Sequence, residues 1–306
     1  MYSETKVRVY YFNGLYVKSE IPIPEVQEYN SSDLSGNPVT IRYGNVPYSL
    51  EQPYFSNSVI SISENEVLIH IEGVARYYIH GSSEVVIEPC EGAPVADVKL
   101  YILSIVLGVL LHKNNILALH ASSIKIGNEA VLIAGPSGVG KSTLALGLYR
   151  KGYEVINDDI TSIFFDATGA PFVYTGVQHL KLWSRSLEKY GYDAIDFERL
   201  KTDLEKYSFP ISRATGTTLP LKAIYVLKEW NESRLESKLL TGLEKFQKLK
   251  ANTYRYKLIQ HLQKTQNHFA LATQLADKTP VIKICRSANV SPADFSEYMQ
   301  EQFDKG

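Results

Sequence analysis

The residues best suited to chemistry lie between Val131 and Thr143, where an apolar run leads into a glycine-rich stretch. The segment reads Val-Leu-Ile-Ala-Gly-Pro-Ser-Gly-Val-Gly-Lys-Ser-Thr, and it meets the spacing G-x-x-x-x-G-K-S from Gly135 to Ser142. Its glycines can take backbone angles closed to other residues, so successive N–H groups can turn toward a phosphate. Lys141 brings a mobile positive charge to the β- and γ-phosphates, and the loop serine hydroxyl is suited to holding magnesium.

The elements on either side of this stretch support the same interpretation. Residues 129–134 are predicted to form a strand, and residues 143–150 have helical spacing. The loop would therefore open onto a helix N-terminus, which attracts anions. The sequence predicts a site for a nucleoside triphosphate with Mg²⁺, formed by Gly135, Pro136, Ser137, Gly138, Val139, Gly140, Lys141, Ser142 and Thr143.

Two adjacent aspartates and a histidine could complete such a site. Asp158 and Asp159 end the first strand after the phosphate-loop helix, where a carboxylate can meet magnesium directly or through water. The neighbouring carboxylate is either a turn residue or a base directed at an incoming hydroxyl. His120 is placed on the strand that pairs with the one entering the loop, where it is either a core residue or a catalytic one.

The strands that must position these residues predict a mixed sheet. Residues 118–126 and 129–134 are joined by Gly127-Asn128, so a hairpin stands where a doubly wound fold would have a helical crossover. Short turns also join the strands at 154–157, 160–165 and 172–174. Parallel pairing needs a longer connection, and these strands are therefore predicted to be antiparallel neighbours.

The rest of the chain divides around this core. Residues 1–95 predict short strands of an antiparallel meander, with a hairpin at Asn13-Gly14, and residues 96–113 predict a connecting buried helix. Residues 114–306 form the domain that carries the phosphate loop. The predicted order after the site is a mostly helical stretch at 181–208, a mobile loop at 209–220 containing Pro210 and Gly216, a strand at 223–227, two helices between about 241 and 276, a strand at 281–285, and a helix opened by Ser291-Pro292.

Composition limits the functions that such a chain could have. An apolar fraction of 44% and a charged fraction of 21% are typical of a soluble globular protein. The net charge of −1 gives no general attraction to nucleic acid or to anionic membrane. Cys90 and Cys285 offer no disulfide framework, which fits a reducing compartment. The most apolar run, Tyr101–Leu111, is too short to span a bilayer, and the N-terminus lacks a signal-peptide core, so a cytoplasmic location is expected.

Together, His120, the loop at 135–142 and the segment Gly152-Tyr-Glu-Val-Ile-Asn-Asp-Asp159 resemble the catalytic core of HPr kinase/phosphorylase in order and spacing. The resemblance implies a mixed-sheet fold like that of phosphoenolpyruvate carboxykinase, and transfer of a phosphoryl group from a nucleotide to a serine hydroxyl. It also implies that the first aspartate is the base, that the second serves the metal with the loop serine, and that the histidine stays near the phosphates. The predicted catalytic residues are Asp158, His120 and Lys141, and the predicted metal ligands are Ser142 and Asp159.

Parts of the chain depart from that family. Its further glutamate has no counterpart in Val173-Tyr-Thr-Gly-Val-Gln178, and the arginine of its mobile loop is only loosely matched by Arg213. A β-rich leader, the core, the segment Gln178-His-Leu-Lys-Leu-Trp183 and a late strand and helix are similar to the kinases of lasso-peptide maturation. That resemblance implies phosphorylation of the C-terminal serine of a precursor peptide.

The working hypothesis is an ATP- and Mg²⁺-dependent serine kinase whose partner is a peptide or protein with an acceptor serine. No nucleic-acid or membrane partner is expected, and the related kinases are often hexamers, which implies a homo-oligomer. One alternative is a kinase of a small-molecule hydroxyl such as free serine. Another is a regulator that binds ATP without transferring phosphate, although a pure binder has no need of a base at Asp158.

Overall fold

The computed structural model describes residues 6–30, 37–176, 179–201, 204–212, 218–232, 234–287 and 289–305. The chain forms two compact units. The first comprises Met1–Ile116 and Lys257–Gln266, and the second comprises Leu117–Tyr256 and Asn267–Gly306. All the candidate site residues therefore belong to the second unit. Of the positions quoted from the sequence, Val177 and Gln178 lie outside the described residues, as do residues 213–217 of the predicted loop at 209–220, which include Arg213 and Gly216.

A sheet of short strands forms the first unit. Its strands in the described residues are β1 (Arg8–Phe12), β2 (Leu15–Ser19), β3 (Val39–Tyr43), β4 (Phe55–Ser56), β5 (Ile60–Ile62), β6 (Glu66–Ile71), β7 (Ala75–His80) and β8 (Glu84–Pro89). They lie in the order β1-β2-β3-β8-β7-β6-β5-β4. The predicted hairpin is confirmed, because Asn13 and Gly14 have positive φ angles of 52° and 82° and Phe12 pairs with Leu15.

The direction of β3 departs from the expected meander. Strands β4 to β8 pair antiparallel in sequence, as predicted. Strand β3 instead lies parallel to both β2 and β8. The chain between Ser19 and Val39 is long enough for the crossover that parallel pairing requires, whereas the connections from β4 to β8 are short turns.

A helix between Val95 and Lys113 belongs to the first unit. It comprises α1 (Val95–Tyr101), one π-helical stretch (Ile102–Val106) and α2 (Leu107–Lys113). In the described part of the chain it is the one helix whose length and mean hydropathy of 1.9 would suffice to cross a membrane, so the expectation of a run too short for that is corrected. Of the 18-residue apolar stretch of this helix, 61% is buried within the protein. Tyr77 also donates a hydrogen bond of 3.1 Å to the Val98 carbonyl.

A larger mixed sheet is the centre of the second unit, which confirms the predicted fold class. Its strands are β9 (Leu117–Leu119), β10 (Ala121–Ile126), β11 (Glu129–Ala134), β12 (Val155–Asn157), β13 (Thr161–Phe165), β14 (Pro171–Tyr174), β18 (Thr218–Trp230), β19 (Glu236–Leu239) and β20 (Val281–Ser287). Strands β10 and β11 form the predicted antiparallel hairpin. Strand β11 then lies parallel to β18, which is parallel to β20.

Two predictions about the strands near the site are wrong. Residues 118–126 do not form one strand, because the chain bends at His120 between β9 and β10. Strands β12 and β13 were expected to pair with each other, but β12 pairs with β10 while β13 pairs with β9 and β14. The bend at the histidine and the left-handed backbone of Asp159, with φ of 73°, redirect the chain between these partners.

The helical prediction for residues 181–208 is also wrong. A three-stranded sheet takes its place, formed by β15 (His179–Trp183), β16 (Glu198–Lys201) and β17 (Leu204–Pro210), with a short helix α4 (Ser184–Glu188) and a 3₁₀ turn at Ala194–Asp196. Leu180 and Leu182 are buried on β15, and Tyr207 and Phe209 are buried on β17. This alternation is the period of a strand, and it places the apolar side chains on one face.

The remaining helices of the described residues all follow β11 in the chain. They are α3 (Lys141–Arg150), α5 (Gly242–Ala251), α6 (Tyr256–His261), α7 (Thr265–Lys278) and α8 (Pro292–Lys305). Between about residues 241 and 276, where two helices were predicted, the structure has three, α5, α6 and α7. The predicted start of the last helix is confirmed, since the Ser291 hydroxyl accepts a hydrogen bond of 3.1 Å from the Asp294 amide.

Candidate functional site

The phosphate loop follows β11 and ends at the first turn of α3. Gly135, Gly138 and Gly140 have φ angles of 146°, 85° and 99°, which side chains rarely allow. A Cβ on Gly135 would lie 3.0 Å from the Leu227 carbonyl oxygen. Gly135 and Gly140 are thus required by both conformation and space, and Gly138 by conformation.

Lys141 is buried within this loop, with only 6% of the residue exposed. Its Nζ donates hydrogen bonds to the carbonyl oxygens of Gly135, at 2.8 Å, and Pro136, at 3.1 Å. Burial lowers the pKa of the ammonium to about 8, although the charges of Asp158 and Asp159 act in the opposite direction. The positive charge therefore lies inside the loop, where a phosphate could replace the two carbonyl contacts.

Asp158 is held by three donors. Its Oδ1 accepts hydrogen bonds from Ser142 Oγ at 3.0 Å and from Ser122 Oγ at 2.6 Å. Its Oδ2 accepts one from the backbone amide of Lys181 at 2.9 Å. The aspartate after β12 therefore contacts the loop serine at the N-terminus of α3, and strands β10 and β15 fix its orientation.

The Asp159 side chain has different partners from those of Asp158. Its Oδ2 lies 3.0 Å from Lys181 Nζ, and its Oδ1 lies 3.2 Å from Nδ1 of His120. Burial would raise the pKa of the Asp159 carboxyl, but Lys181, the hydrogen bond with His120 and the charge of Lys206 hold it well below its usual range. Conversely, burial would lower the pKa of Lys181, and the aspartate raises it. The pair is therefore charged at neutral pH.

His120 is fixed at the bend between β9 and β10. Its backbone amide donates to the Asn252 carbonyl at 2.7 Å, and its Nδ1 lies 2.9 Å from the Asp159 carbonyl oxygen. The ring centroid lies 6.2 Å from that of Tyr254. The predicted site histidine thus faces the second aspartate.

Two cavities open at the phosphate loop. The smaller, of about 390 Å³, is lined by Lys141, Ser142 and Asp159 together with the cations Lys181, Arg185, Lys189, Lys206 and Arg286. The larger, of about 840 Å³, is lined by the loop backbone from Gly135 to Val139, by the end of β18 and by Tyr254. His120, Ser137 and Gly138 line both cavities.

Sequence reasoning missed several of these residues. Ser122 and Lys181 contact the aspartates from β10 and β15, and Arg286 donates a hydrogen bond of 2.7 Å to the Val139 carbonyl. A Cβ on Gly140 would lie 2.8 Å from the Arg286 guanidinium. The alternation of β15 was a usable signal for Lys181, whereas the sequence held no local signal for Arg286, which reaches the loop from β20.

The oxygen atoms near the loop suit magnesium. The Ser142 hydroxyl and the Asp158 carboxylate are adjacent hard donors, and Mg²⁺ is typically held by one or two carboxylates together with substrate phosphates. Within the described residues there is no group of three or more His, Cys, Asp or Glu side chains that could hold a metal by themselves. The two adjacent oxygen donors, Ser142 Oγ and Asp158 Oδ1, fit a Mg²⁺ ion that also takes ligands from nucleotide phosphates.

Comparison with known proteins gives limited matches. No family model matches the chain. An HPr kinase/phosphorylase of Lactobacillus acidophilus is 41% identical over 63 residues, which cover 21% of this chain and 19% of the relative. The chain thus spans about a fifth of the length of that curated relative. The solved Hpr(Ser) kinase/phosphatase of Coxiella burnetii is 12% identical, with a TM-score of 0.33 over 61% of this chain and 97% of that chain, a likeness too low to carry an argument.

Proposed function

We propose that this protein is an ATP- and Mg²⁺-dependent kinase that transfers the γ-phosphoryl group to a serine hydroxyl. The observation that carries the proposal is the hydrogen bond between Ser142 of the loop and Asp158. The next residue, Asp159, contacts His120, and both of these residues line the smaller cavity together with Ser142. A phosphate loop, two oxygen donors suited to a metal and a histidine–aspartate pair would then act at one place. The partial match to an HPr kinase/phosphorylase supports the same reaction class.

Phosphoryl transfer depends mainly on positioning and charge, and the loop supplies both. The amides of the loop between Gly135 and Gly140 would bind the phosphates, and Lys141 could exchange its two carbonyl contacts for phosphate oxygens. Lys206, Arg185 and Arg286 line the same cavity, where they offset the charge of a triphosphate.

Ser142 and Asp158 are the residues that would hold the metal. A bound Mg²⁺ would neutralise phosphate charge as the γ-phosphoryl group moves. Asp158 already accepts hydrogen bonds from Ser122, Ser142 and the Lys181 amide, so its carboxylate is fixed beside the loop serine. This assignment differs from the resemblance to the family, which implied Asp159 as the metal ligand and Asp158 as the base.

For the acceptor, we favour a serine of a peptide, including the C-terminal serine of a lasso-peptide precursor that the sequence resemblance implies. A cavity of about 840 Å³ adjoins the loop and is large enough for a short segment of chain. The cations Lys228, Lys248 and Arg255 line it, and they would favour an acceptor that carries a carboxylate near its hydroxyl.

The proposal is tested by incubating the protein with Mg²⁺ and ATP labelled on the γ-phosphate, with three acceptors in parallel. These are peptides ending in serine, free serine and HPr. Label on the peptides supports the proposal in full. Label confined to free serine would mean that the acceptor is a metabolite rather than a peptide. If the protein binds ATP but neither labels an acceptor nor releases phosphate, the result favours the nucleotide-binding regulator.

A further inference from the structure

One ring nitrogen of His120 is committed to a partner that can only accept a hydrogen bond. Its Nδ1 lies 2.9 Å from the backbone carbonyl oxygen of Asp159, and a carbonyl oxygen has no proton to give. Nδ1 therefore carries the hydrogen. In the neutral imidazole, the lone pair that can take up a proton is then on Nε2.

The Asp159 carboxylate reinforces this arrangement. Its Oδ1 lies 3.2 Å from the same Nδ1, and Lys181 holds its Oδ2 at 3.0 Å. A carboxylate placed at Nδ1 stabilises the imidazolium that forms when Nε2 receives a proton. Both oxygens of the carboxylate are thus engaged, Oδ1 by His120 and Oδ2 by Lys181, so its place is beside the ring rather than at the acceptor hydroxyl.

The position of His120 allows it to meet both substrates. Its side chain is 29% exposed, and it lines the smaller cavity with the loop lysine and the larger cavity with Tyr254. Phosphates bound at Lys141 and a hydroxyl in the larger cavity would therefore meet at this ring. Asp158, the other basic group near the loop, has both oxygens engaged by donors.

We infer that His120 accepts the proton of the acceptor hydroxyl and that Asp159 is the residue that positions it. The inference rests on the proposed kinase function. The hydroxyl proton passes to Nε2 while the hydroxyl oxygen forms a bond to the γ-phosphorus. The bond between that phosphorus and the β,γ-bridging oxygen breaks, and its electron pair leaves with ADP. The imidazolium then returns the proton to water.

The decisive variant is His120→Asn. An asparagine amide can replace Nδ1 as a donor to the Asp159 carbonyl, but it has no atom at the position of Nε2. A purely structural histidine would tolerate this change. We expect transfer to a serine-ended peptide, and hydrolysis of ATP by water, to fall by roughly 10²- to 10⁴-fold, with binding of a fluorescent ATP analogue nearly unchanged.

A second variant, His120→Gly, leaves room for an added base. Free imidazole should restore part of its lost turnover in a concentration-dependent way, while the control variant His70→Gln should match the wild type, since His70 is exposed on β6 of the first unit. Wild-type turnover in His120→Asn, or turnover in His120→Gly that imidazole does not change, would overturn this inference but leave the proposed kinase function standing. A wild-type protein that binds ATP but neither transfers nor hydrolyses it overturns the kinase function as well.

Discussion

Ser142 and Asp158 lie 3.0 Å apart, from the serine Oγ to the aspartate Oδ1, although the rest of helix α3 and the whole of strand β12 lie between them in the chain. The next residue, Asp159, turns to His120 and Lys181 instead. A left-handed backbone at Asp159, with φ of 73°, accompanies this change of direction. Two identical side chains in sequence are thus committed to different partners, which makes their roles separable by experiment.

The first prediction concerns metal dependence. Asp158→Asn keeps the shape of the side chain but removes the charge beside Ser142, and we expect the apparent affinity for Mg²⁺ to fall by roughly 10- to 100-fold. Asp159→Asn should instead lower turnover with little change in the Mg²⁺ requirement, because its contacts are His120 and Lys181. Titration of ATP turnover with Mg²⁺, and of Mn²⁺ binding in the presence of ATP, would measure both effects.

The matched control for these variants is Asp277→Asn. The Asp277 side chain is 73% exposed on α7, where it lies 3.6 Å from its neighbour Lys278. Its variant should behave as the wild type in both titrations. If Asp159→Asn proves to be the variant that needs excess metal, the two aspartates have the roles that the family resemblance implies.

The second prediction is that Lys141→Met abolishes most of the transfer. Methionine fills the volume of the lysine stem but removes the charge that would stabilise the migrating phosphoryl group, and we expect a loss of at least roughly 10²- to 10³-fold. ATP binding should weaken less, because the backbone amides of the loop remain. Lys151→Met provides the control, since that lysine follows α3 and pairs with the exposed Glu297. Normal transfer by Lys141→Met would contradict the assignment of the loop.

The phosphate loop was predictable because its chemistry is local. The conformations of Gly135, Gly138 and Gly140 follow from residue type and spacing alone. The surroundings of the aspartates were not predictable in the same way. Lys181 reaches them because β15 pairs with β17, a contact set by distant residues, and the many charged residues after Trp183 favoured a helix in the local pattern.

The same limit explains the misplaced strands. A short turn between β12 and β13 indicates antiparallel pairing when only the two strands are considered. Here β10 and β9 are already the partners of β12 and β13, and the break between them at His120 lets one segment serve two neighbours. The sequence therefore named several candidate residues that the fold brings together, but not which of them contact one another.

The third prediction follows from the pKa of Lys141. Burial places that pKa at about 8 in the protein without nucleotide, so the ammonium loses its proton as the pH rises above that value. Bound phosphate stabilises the charged form and raises the pKa again. Binding of MgATP at pH above about 8 should consequently take up protons, and its affinity should fall as the pH rises further.

Calorimetry in two buffers with different ionisation enthalpies would detect this uptake. ATP is fully ionised in this range, so it contributes no proton of its own. Lys141→Arg keeps a charge that does not titrate there, and its binding, though weaker, should show no difference between the buffers. Equal heats for the wild-type protein in both buffers would contradict the shifted pKa.

The fourth prediction compares Gly140→Ala with Gly152→Ala. The comparison distinguishes the effect of a steric contact in the phosphate loop from the effect of backbone strain, which both variants share. Both glycines have left-handed φ angles, of 99° and 93°, so each substitution should cost roughly 1–2 kcal/mol of stability. Only at Gly140 would the new Cβ meet another group, the Arg286 guanidinium at 2.8 Å, whereas nothing lies within 4 Å at Gly152.

In Gly140→Ala, the hydrogen bond from Arg286 to the Val139 carbonyl must then shift, and the loop with it. We therefore expect similar losses in thermal stability, with ATP binding lost in Gly140→Ala alone. Equal ATP affinity in the two variants would show that Arg286 does not hold the loop in its binding conformation.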